Sequence, residues 1–403
     1  MLTFEEARRK VIEHVGNRRG PHASTVVSVW DALGLVLKQE VKTDREYPPF
    51  DRSTRDGYAV RSQEVQPAAQ LECTGEIKAG DRVTETLAPG TCVQIMTGAA
   101  VPSGADAVVM IEYTQRDGHF VRFERGAQAG QNIVPRGSEA HAGQTILKPG
   151  MRLGFAELAL AAQVGATQLE CAKRPRVGIL STGDEVVPID QQPGEFQIRN
   201  SNSVSLAAQV RIAGGEPVVL GNAADRVEDL GDKIEHGLQE DALVLTGGVS
   251  MGKYDLVESV LKALGAKFFF DAVAIRPGKP AVFAICRDKP VFGLPGNPVS
   301  TMVTFQLFAA PAIDLLSGAE ARPLPLLEAR LAEALNERPG LDHFLPARIE
   351  WRGVEPEVKA LKWQGSGDIA ALAGANCFLV VPADSEKIAA GERVSVLLRK
   401  DVA

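Results

Sequence analysis

The sequence predicts a multi-domain protein of the α/β plus β class, centred on an α/β domain with a mostly parallel sheet. Three observations lead there. The chain has 403 residues, enough for roughly two to four domains. From residue 176 to about 316, short apolar runs alternate with helical stretches, the pattern of parallel strands covered on both faces. From about 43 to 140, and again beyond 323, β-like runs are punctuated by Gly and Pro, as in small all-β modules.

In chain order, 3–15 and 24–41 are expected to be helical, and Tyr47-Pro48-Pro49-Phe50-Asp51 ends that stretch. Strands are expected at 92–96, 107–111 and 119–123 in an inserted β-rich domain, 43–140. Helix returns at 151–166, so 1–42 and 141–175 would form one discontinuous, elongated, mixed helical N-terminal domain. The α/β domain, 176–322, has expected strands at 177–180, 217–220, 242–245, 267–275, 281–286 and 291–293. Its expected helices are 200–213, stopped by Gly214-Gly215; 226–239; 255–264, capped by Asp255 and stopped at Gly265; and 299–316. Arg322-Pro323-Leu324-Pro325 reads as a linker into a C-terminal β domain, 323–403.

Composition excludes several functions. With 44 Lys+Arg against 51 Asp+Glu, a net charge of −7 makes a poor general binder of nucleic acid or anionic membrane. Aromatics at 5% are too few for base-stacking platforms. No run of ~18 apolar residues suggests a membrane span, and the mixed-charge start lacks the apolar core of a signal peptide. Cys73, Cys92, Cys171, Cys286 and Cys377 form no CxxC pair, so neither a disulfide framework nor a cysteine zinc site is expected. A cytoplasmic protein with reduced thiols is the expectation.

In an open parallel sheet, ligands bind beyond the carboxyl ends of the strands. Four turns there are rich in glycine, hydroxyl or cation: Ser181-Thr182-Gly183-Asp184-Glu185, Thr246-Gly247-Gly248-Val249-Ser250, Arg276-Pro277-Gly278-Lys279-Pro280 and Leu294-Pro295-Gly296-Asn297-Pro298-Val299-Ser300. Backbone N–H groups at such glycines, helix N-termini, and the charges of Arg276 and Lys279 suit an oxyanion. Gly247…Gly252-Lys253 imitates a nucleotide-binding P-loop, but Tyr254 stands where that motif needs Ser or Thr. Asp56, Glu139, Glu185, Asp225 and Asp255 sit near expected turns; each alone would be a cap or a solvated surface group, and several together could bind a divalent cation.

Taken in order with Pro48-Pro49-Phe50-Asp51-Arg52-Ser53-Thr54-Arg55-Asp56-Gly57-Tyr58-Ala59-Val60 and Ile95-Met96-Thr97-Gly98-Ala99, these motifs resemble the MoeA family of molybdopterin molybdenumtransferases, similar to the gephyrin E domain. The resemblance implies an elongated homodimer of four-domain subunits, in which the β module of one subunit faces the α/β domain of the other. It implies insertion of molybdate into adenylylated molybdopterin with release of AMP, with Mg2+ as cofactor. It also points to a molybdopterin adenylyltransferase and molybdoenzyme apoproteins as partners. It places Asp56, Glu185, Asp225, Asp255 and Lys279 in catalysis, with Asp56, Glu185 and Asp255 holding the metal. Thr97, Thr246, Gly247, Gly248, Ser250, Arg276, Pro295, Asn297, Pro298, Ser300 and Ser366 would bind substrate.

Three departures stand out. Arg276 replaces a family lysine, which keeps the charge but offers a planar fork. Arg136-Gly137-Ser138-Glu139 stands where the family has Arg-Gly-Glu-Asp. His343-Phe344-Leu345-Pro346 lacks the arginine of the family's Glu-Phe-x-Arg, with Arg348 two residues on as a candidate substitute. The competing expectation is a non-catalytic molybdopterin-binding or scaffold protein.

Overall fold

The computed structural model describes residues 1–17, 23–248 and 256–401. Ser250 and Asp255, like the Lys253-Tyr254 of the P-loop imitation, lie outside them.

The first helix, Phe4–Gly16, starts in a capping box between Thr3 and Glu6. Its apolar face, Phe4, Ala7, Val11 and Val15, repeats every three to four residues and is buried. That face packs into the core of the α/β sheet, beside Val177, Val244 and Ile313, rather than onto the N-terminal module to which the sequence assigns it. The helix expected at 24–41 is a second correction. Ser24–Ser28 is a strand, paired antiparallel with Gln168–Ala172, and only a short 3-10 turn, Val29–Asp31, follows. The β-branched Thr25-Val26-Val27 suits a pleated surface better than a helix, and the partner strand decides it. The helix Phe155–Gln163 forms within the expected 151–166. Leu37, Val41, Leu147, Leu153 and Leu169 make this module's core.

The inserted module holds a six-stranded sheet in the order Ala107–Met110, Gly57–Val60, Thr91–Ile95, Gln70–Ile77, Phe120–Phe123, Thr114–Asp117. Gly57 is required by close approach: a Cβ there would lie 1.9 Å from the Val109 carbonyl oxygen on the neighbouring strand. Backbone cannot yield as a flexible side chain can. Gly57→Ala is therefore expected to destabilise the module by about 3 kcal/mol or more, read as a lowered denaturation midpoint with the α/β domain still folded.

The α/β domain carries a six-stranded sheet, ordered Glu216–Ala223, Arg176–Thr182, Ala242–Thr246, Lys289–Leu294, Val282–Cys286, Lys267–Phe270. The first four strands are parallel, and Val282–Cys286 runs antiparallel to both of its neighbours, Lys289–Leu294 and Lys267–Phe270. The expected strand 267–275 divides: Lys267–Phe270 stays in this sheet, while Ile275–Arg276 pairs with Asp342 and His343 of the C-terminal module. Lys279 nevertheless reaches the carboxyl edge. It precedes an antiparallel strand whose first residue, Val282, lies opposite Gly293 near the end of its neighbour. The last helix, Pro298–Leu316, contains a π turn at Phe305–Ala309. It is long and apolar enough to cross a membrane, yet 83% of it is buried in the fold, so it is a core helix.

The C-terminal strands close on themselves. Asp342–Arg352 pairs with both Glu355–Ala360 and Cys377–Val381; Leu326–Leu331 and Arg393–Leu398 complete the ring. Leu345, Ala347, Ile349, Val358, Leu379 and Val396 fill it. The closure leaves these five strands without a free edge in the ring.

Candidate functional site

Two adjoining cavities open along the carboxyl edge of the parallel strands and share Pro280, Pro295 and Asn297. The first, about 430 Å3, is lined by Thr182, Glu185, Asn200, Asn202, Asp225, Thr246, Gly247, Gly248 and Pro298 among others. The second, about 690 Å3, lies between the α/β domain and the barrel and is lined by Arg276, Lys279, Ser300, Glu337, Trp363 and Ser366 among others.

Strand ends and their turns fix the first cavity. Gly247 and Gly248 have φ of 92° and 65°, and a Cβ on Gly247 would come 2.8 Å from the Thr182 carbonyl oxygen. Glycine there lets two strand ends approach closely. Asn202 Nδ2 donates to Thr246 Oγ1 at 2.9 Å and to the Gly296 carbonyl at 2.8 Å, tying the second turn to the fourth. Thr246 Oγ1 in turn donates to the Pro295 carbonyl at 3.2 Å. Asn200 Oδ1 accepts from Ser203 N at 3.0 Å, capping the helix Ser201–Ala213, and from Ser181 Oγ at 3.1 Å. Thr182 Oγ1 and Asn202 Oδ1 are buried and make no hydrogen bond among the described residues. Buried polar atoms ordinarily find partners, so these two mark where a ligand's polar groups fit.

The second cavity is cationic. Arg276 and Lys279 are exposed, and neither side chain has a partner among the described residues. Opposite them the barrel contributes Ser366, whose Oγ accepts from Asn297 Nδ2 at 2.9 Å and whose carbonyl accepts from Val299 N at 3.0 Å. Ser300, in the first turn of the last helix, is buried against this cavity. Glu337 lines it too and is paired with buried His343, Nδ1 to Oε2 at 2.8 Å. Arg348 does not supply the missing family arginine. It pairs with Glu350 at 3.0 Å and does not line the cavity; Leu345, an odd number of residues earlier on the strand, does.

Carboxylates gather at the far side of the first cavity. Asp225 N donates to Asp184 Oδ1 at 3.2 Å. Burial, and then the charges of Asp184 and Glu185, push the Asp225 carboxyl above its ordinary range. A raised folded-state value means that ionised Asp225 costs stability above the unfolded value, a cost that disappears as pH falls through the folded value. Asp225→Asn is accordingly expected to melt slightly above the parent at neutral pH, the difference vanishing below about pH 4. An unchanged or lowered melting temperature at neutral pH would contradict that reading.

Asp56 and Thr97 do not line either cavity. They meet each other on the inserted module: Asp56 Oδ1 accepts from Thr97 N at 2.7 Å and from Thr97 Oγ1 at 2.9 Å. These bonds hold the Asp56 carboxylate below its ordinary range. Glu139 is engaged nearby with Arg52 at 3.0 Å. Of the expected metal set Asp56, Glu185 and Asp255, Glu185 lines the cleft, Asp56 does not line it within its own chain, and Asp255 lies outside the described residues. Among the described residues no three Asp, Glu, His or Cys side chains form a ready ion cage. Glu185 and Asp225 do fit Mg2+ of the kind held by one or two carboxylates plus water and substrate phosphate.

Sequence reasoning missed Asn200, Asn202, Glu337 and Trp363. Asn200 reads as a helix cap, and capping hides its second bond; Trp363 and Glu337 carry no motif and reach the site only through barrel closure.

A polar cleft at the strand carboxyl ends, a cationic pocket beside it and a barrel closing that pocket define a multidomain α/β protein with a composite site for an anionic ligand. Family descriptions agree: "MoeA N-terminal region (domain I and II)" matches residues 2–165, "Probable molybdopterin binding domain" 178–315, and "MoeA C-terminal region (domain IV)" 328–398. A molybdopterin molybdenumtransferase of Nostoc sp. (strain PCC 7120) is 36% identical over 386 residues, 92% of this chain and 88% of that one. The Bacillus subtilis (strain 168) enzyme of the same name is 33% identical, covering 93% and 90%. A molybdopterin biosynthesis MoeA protein from Pyrococcus horikoshii OT3 superimposes with a TM-score of 0.81 at 27% identity, over 99% of this chain and 100% of that one. The chain belongs to the molybdopterin molybdenumtransferase family, enzymes of molybdenum cofactor biosynthesis.

Proposed function

We propose that this enzyme inserts molybdate into the dithiolene of adenylylated molybdopterin and releases AMP, leaving molybdenum cofactor. The observation that carries this is the pairing of cavities: a polar, carboxylate-edged cleft joined at Pro280, Pro295 and Asn297 to a cationic pocket. The first suits a bound organic substrate through Thr182, Asn202, Thr246 and the Gly247-Gly248 amides. The second suits the molybdate dianion through Arg276, Lys279, Ser300 and Ser366 by charge-assisted hydrogen bonds. Pro295 and Pro298 shape the wall between them, and Asn297, fixed to Ser366, holds the barrel on that wall.

No protein nucleophile is required. Arg276 and Lys279 neutralise and orient the attacking oxyanion, and the fixed turns hold the acceptor in place. Glu185 and Asp225 would hold Mg2+; when bound, it offsets charge on the phosphate and eases departure of AMP.

The active unit in this reading is a homodimer. Trp30 and Phe155 are 90% and 88% exposed on the N-terminal module, with Val26 and Leu33 also exposed. Unpaired apolar surface of this kind favours association. A partner subunit would also bring Asp56 and Thr97 to a cleft that they do not line in their own chain. The five cysteines are free and buried, in keeping with a reducing, cytoplasmic setting. Exchange of substrate and product with a molybdopterin adenylyltransferase and molybdoenzyme apoproteins follows from the chemistry proposed. The test is chromatographic: AMP should appear from adenylylated molybdopterin only when molybdate and Mg2+ are present. Tight pterin binding without AMP would instead indicate a scaffold.

A further inference from the structure

A third cleft, of about 750 Å3, lies where the N-terminal module meets the end of the last α/β helix, lined by Lys38, Lys148, Arg152 and Arg322 with one acidic residue, Glu320. It is remote from the site above. The helix Ser201–Ala213 begins at the first cavity, and its last carbonyl, Ala213, accepts from Arg322 Nη2 at 2.8 Å. Thirteen residues of helix separate the two places, about 20 Å.

Positive charge is in excess there, in a chain that is net acidic. Arg152 and Arg322 share a single carboxylate, Asp314, at 3.0 and 2.7 Å, and Asp314 is only 2% exposed. Arg152 Nη1 also donates to the Gly34 carbonyl at 2.7 Å. The two guanidinium forks are thus pinned before any ligand arrives, while Arg322 Nη1 makes no hydrogen bond among the described residues. Lys38 and Lys148 form no ion pair among the described residues. Burial, and then the neighbouring Arg322, push Arg152 below its ordinary value, as expected where cations outnumber anions.

We infer that this cleft is a binding site for a small, multiply charged phosphate-type oxyanion, either free or as the phosphate chain of a nucleotide. Fixed guanidinium edges favour a compact tetrahedral oxyanion, and two lysines supply adjustable charge. Because Lys38, Lys148 and Arg152 belong to one module and Arg322 to the other side of the joint, an occupant would bridge the two and stiffen it.

The test is calorimetric titration of inorganic pyrophosphate into the full-length protein. Lys279→Ala, in which the anion pocket beside Arg276 is weakened, should keep one saturable binding event that weakens as salt is raised. In that background Lys38→Gln/Lys148→Gln should bind at least about tenfold more weakly, with an unchanged melting temperature. If that variant unfolds, Lys148→Gln alone, at an exposed side chain, carries the same comparison. ATP binding tighter than pyrophosphate, with adenosine silent, supports the site with a nucleotide as source; equal binding supports it with the free anion as source. No saturable binding, binding indifferent to the lysines, loss in Lys279→Ala alone, or capture only of an acidic peptide would overturn it.

Discussion

Lys279→Ala is expected to lower molybdate-dependent AMP release by about a hundredfold or more while leaving the fold intact. The side chain is exposed and has no partner among the described residues, so nothing structural is lost with it. Only its backbone carbonyl is engaged, accepting from Val273 N at 2.9 Å, and alanine keeps that bond. Its remaining task is charge on the wall of the anion pocket, beside Arg276 and opposite Ser366. A charge fixed in a partly dehydrated site is worth far more than one in water. Lys279→Arg should recover part of the rate, since the charge returns in a different shape. Steady-state kinetics against molybdate concentration separates the roles. A raised KM alone means binding of the anion; a lowered kcat means stabilisation of the reacting charge. Turnover unchanged in Lys279→Ala would remove Lys279 from the site.

The second large effect concerns sharing of the site between subunits. Asp56→Ala and Lys279→Ala are each expected to be nearly inactive alone. If the inserted module of one subunit completes the α/β cleft of the other, refolding the two variants together should restore activity. Random pairing makes half of the dimers mixed, and each mixed dimer carries one intact site of two, so about a quarter of wild-type activity should return. Mixing without recovery, in dimers shown to have exchanged, would place Asp56 in its own subunit's site or in none. The geometry motivates the experiment: Asp56 is fixed by two bonds from Thr97 on the inserted module and does not line its own chain's cleft.

Much of the α/β domain was legible because its signals are local. Val177 to Leu180 and Ala242 to Leu245 are continuous apolar runs bounded by Gly-rich turns, and both are buried strands. The turns after them converge as the carboxyl-edge rule requires. Elements fixed by distant partners were harder. Ser24–Ser28 becomes a strand only because Gln168–Ala172 lies beside it, more than a hundred residues away in sequence. The run 267–275 looks continuous, yet Ile275–Arg276 is drawn off to pair with the barrel. Helix Phe4–Gly16 has an apolar face that any core could bury; which one it joins is not written in its spacing.

The candidate site divides in the same way. Thr246, Gly247, Gly248, Arg276, Lys279, Asn297 and Ser300 stand in the turn motifs, Ser366 is implied by the family resemblance, and the fold brings all of them to two adjoining cavities. Asn202 was missed, since its role depends on reaching Thr246 and Gly296 across the sheet edge. Arg348 was a candidate because it is near in sequence. The alternation of the strand turns it away from the face that carries Leu345, and Glu350 holds it.

The central claim is that the two joined cavities hold adenylylated molybdopterin and molybdate together and exchange AMP for metal. Its most direct test is stoichiometry in a single turnover. Protein preloaded with adenylylated molybdopterin and Mg2+ is given molybdate, then quenched and assayed for AMP and for pterin-bound molybdenum. The account predicts that the two rise together, mole for mole, and that neither appears without molybdate. AMP released in its absence at the same rate, or molybdenum bound without AMP, would contradict it.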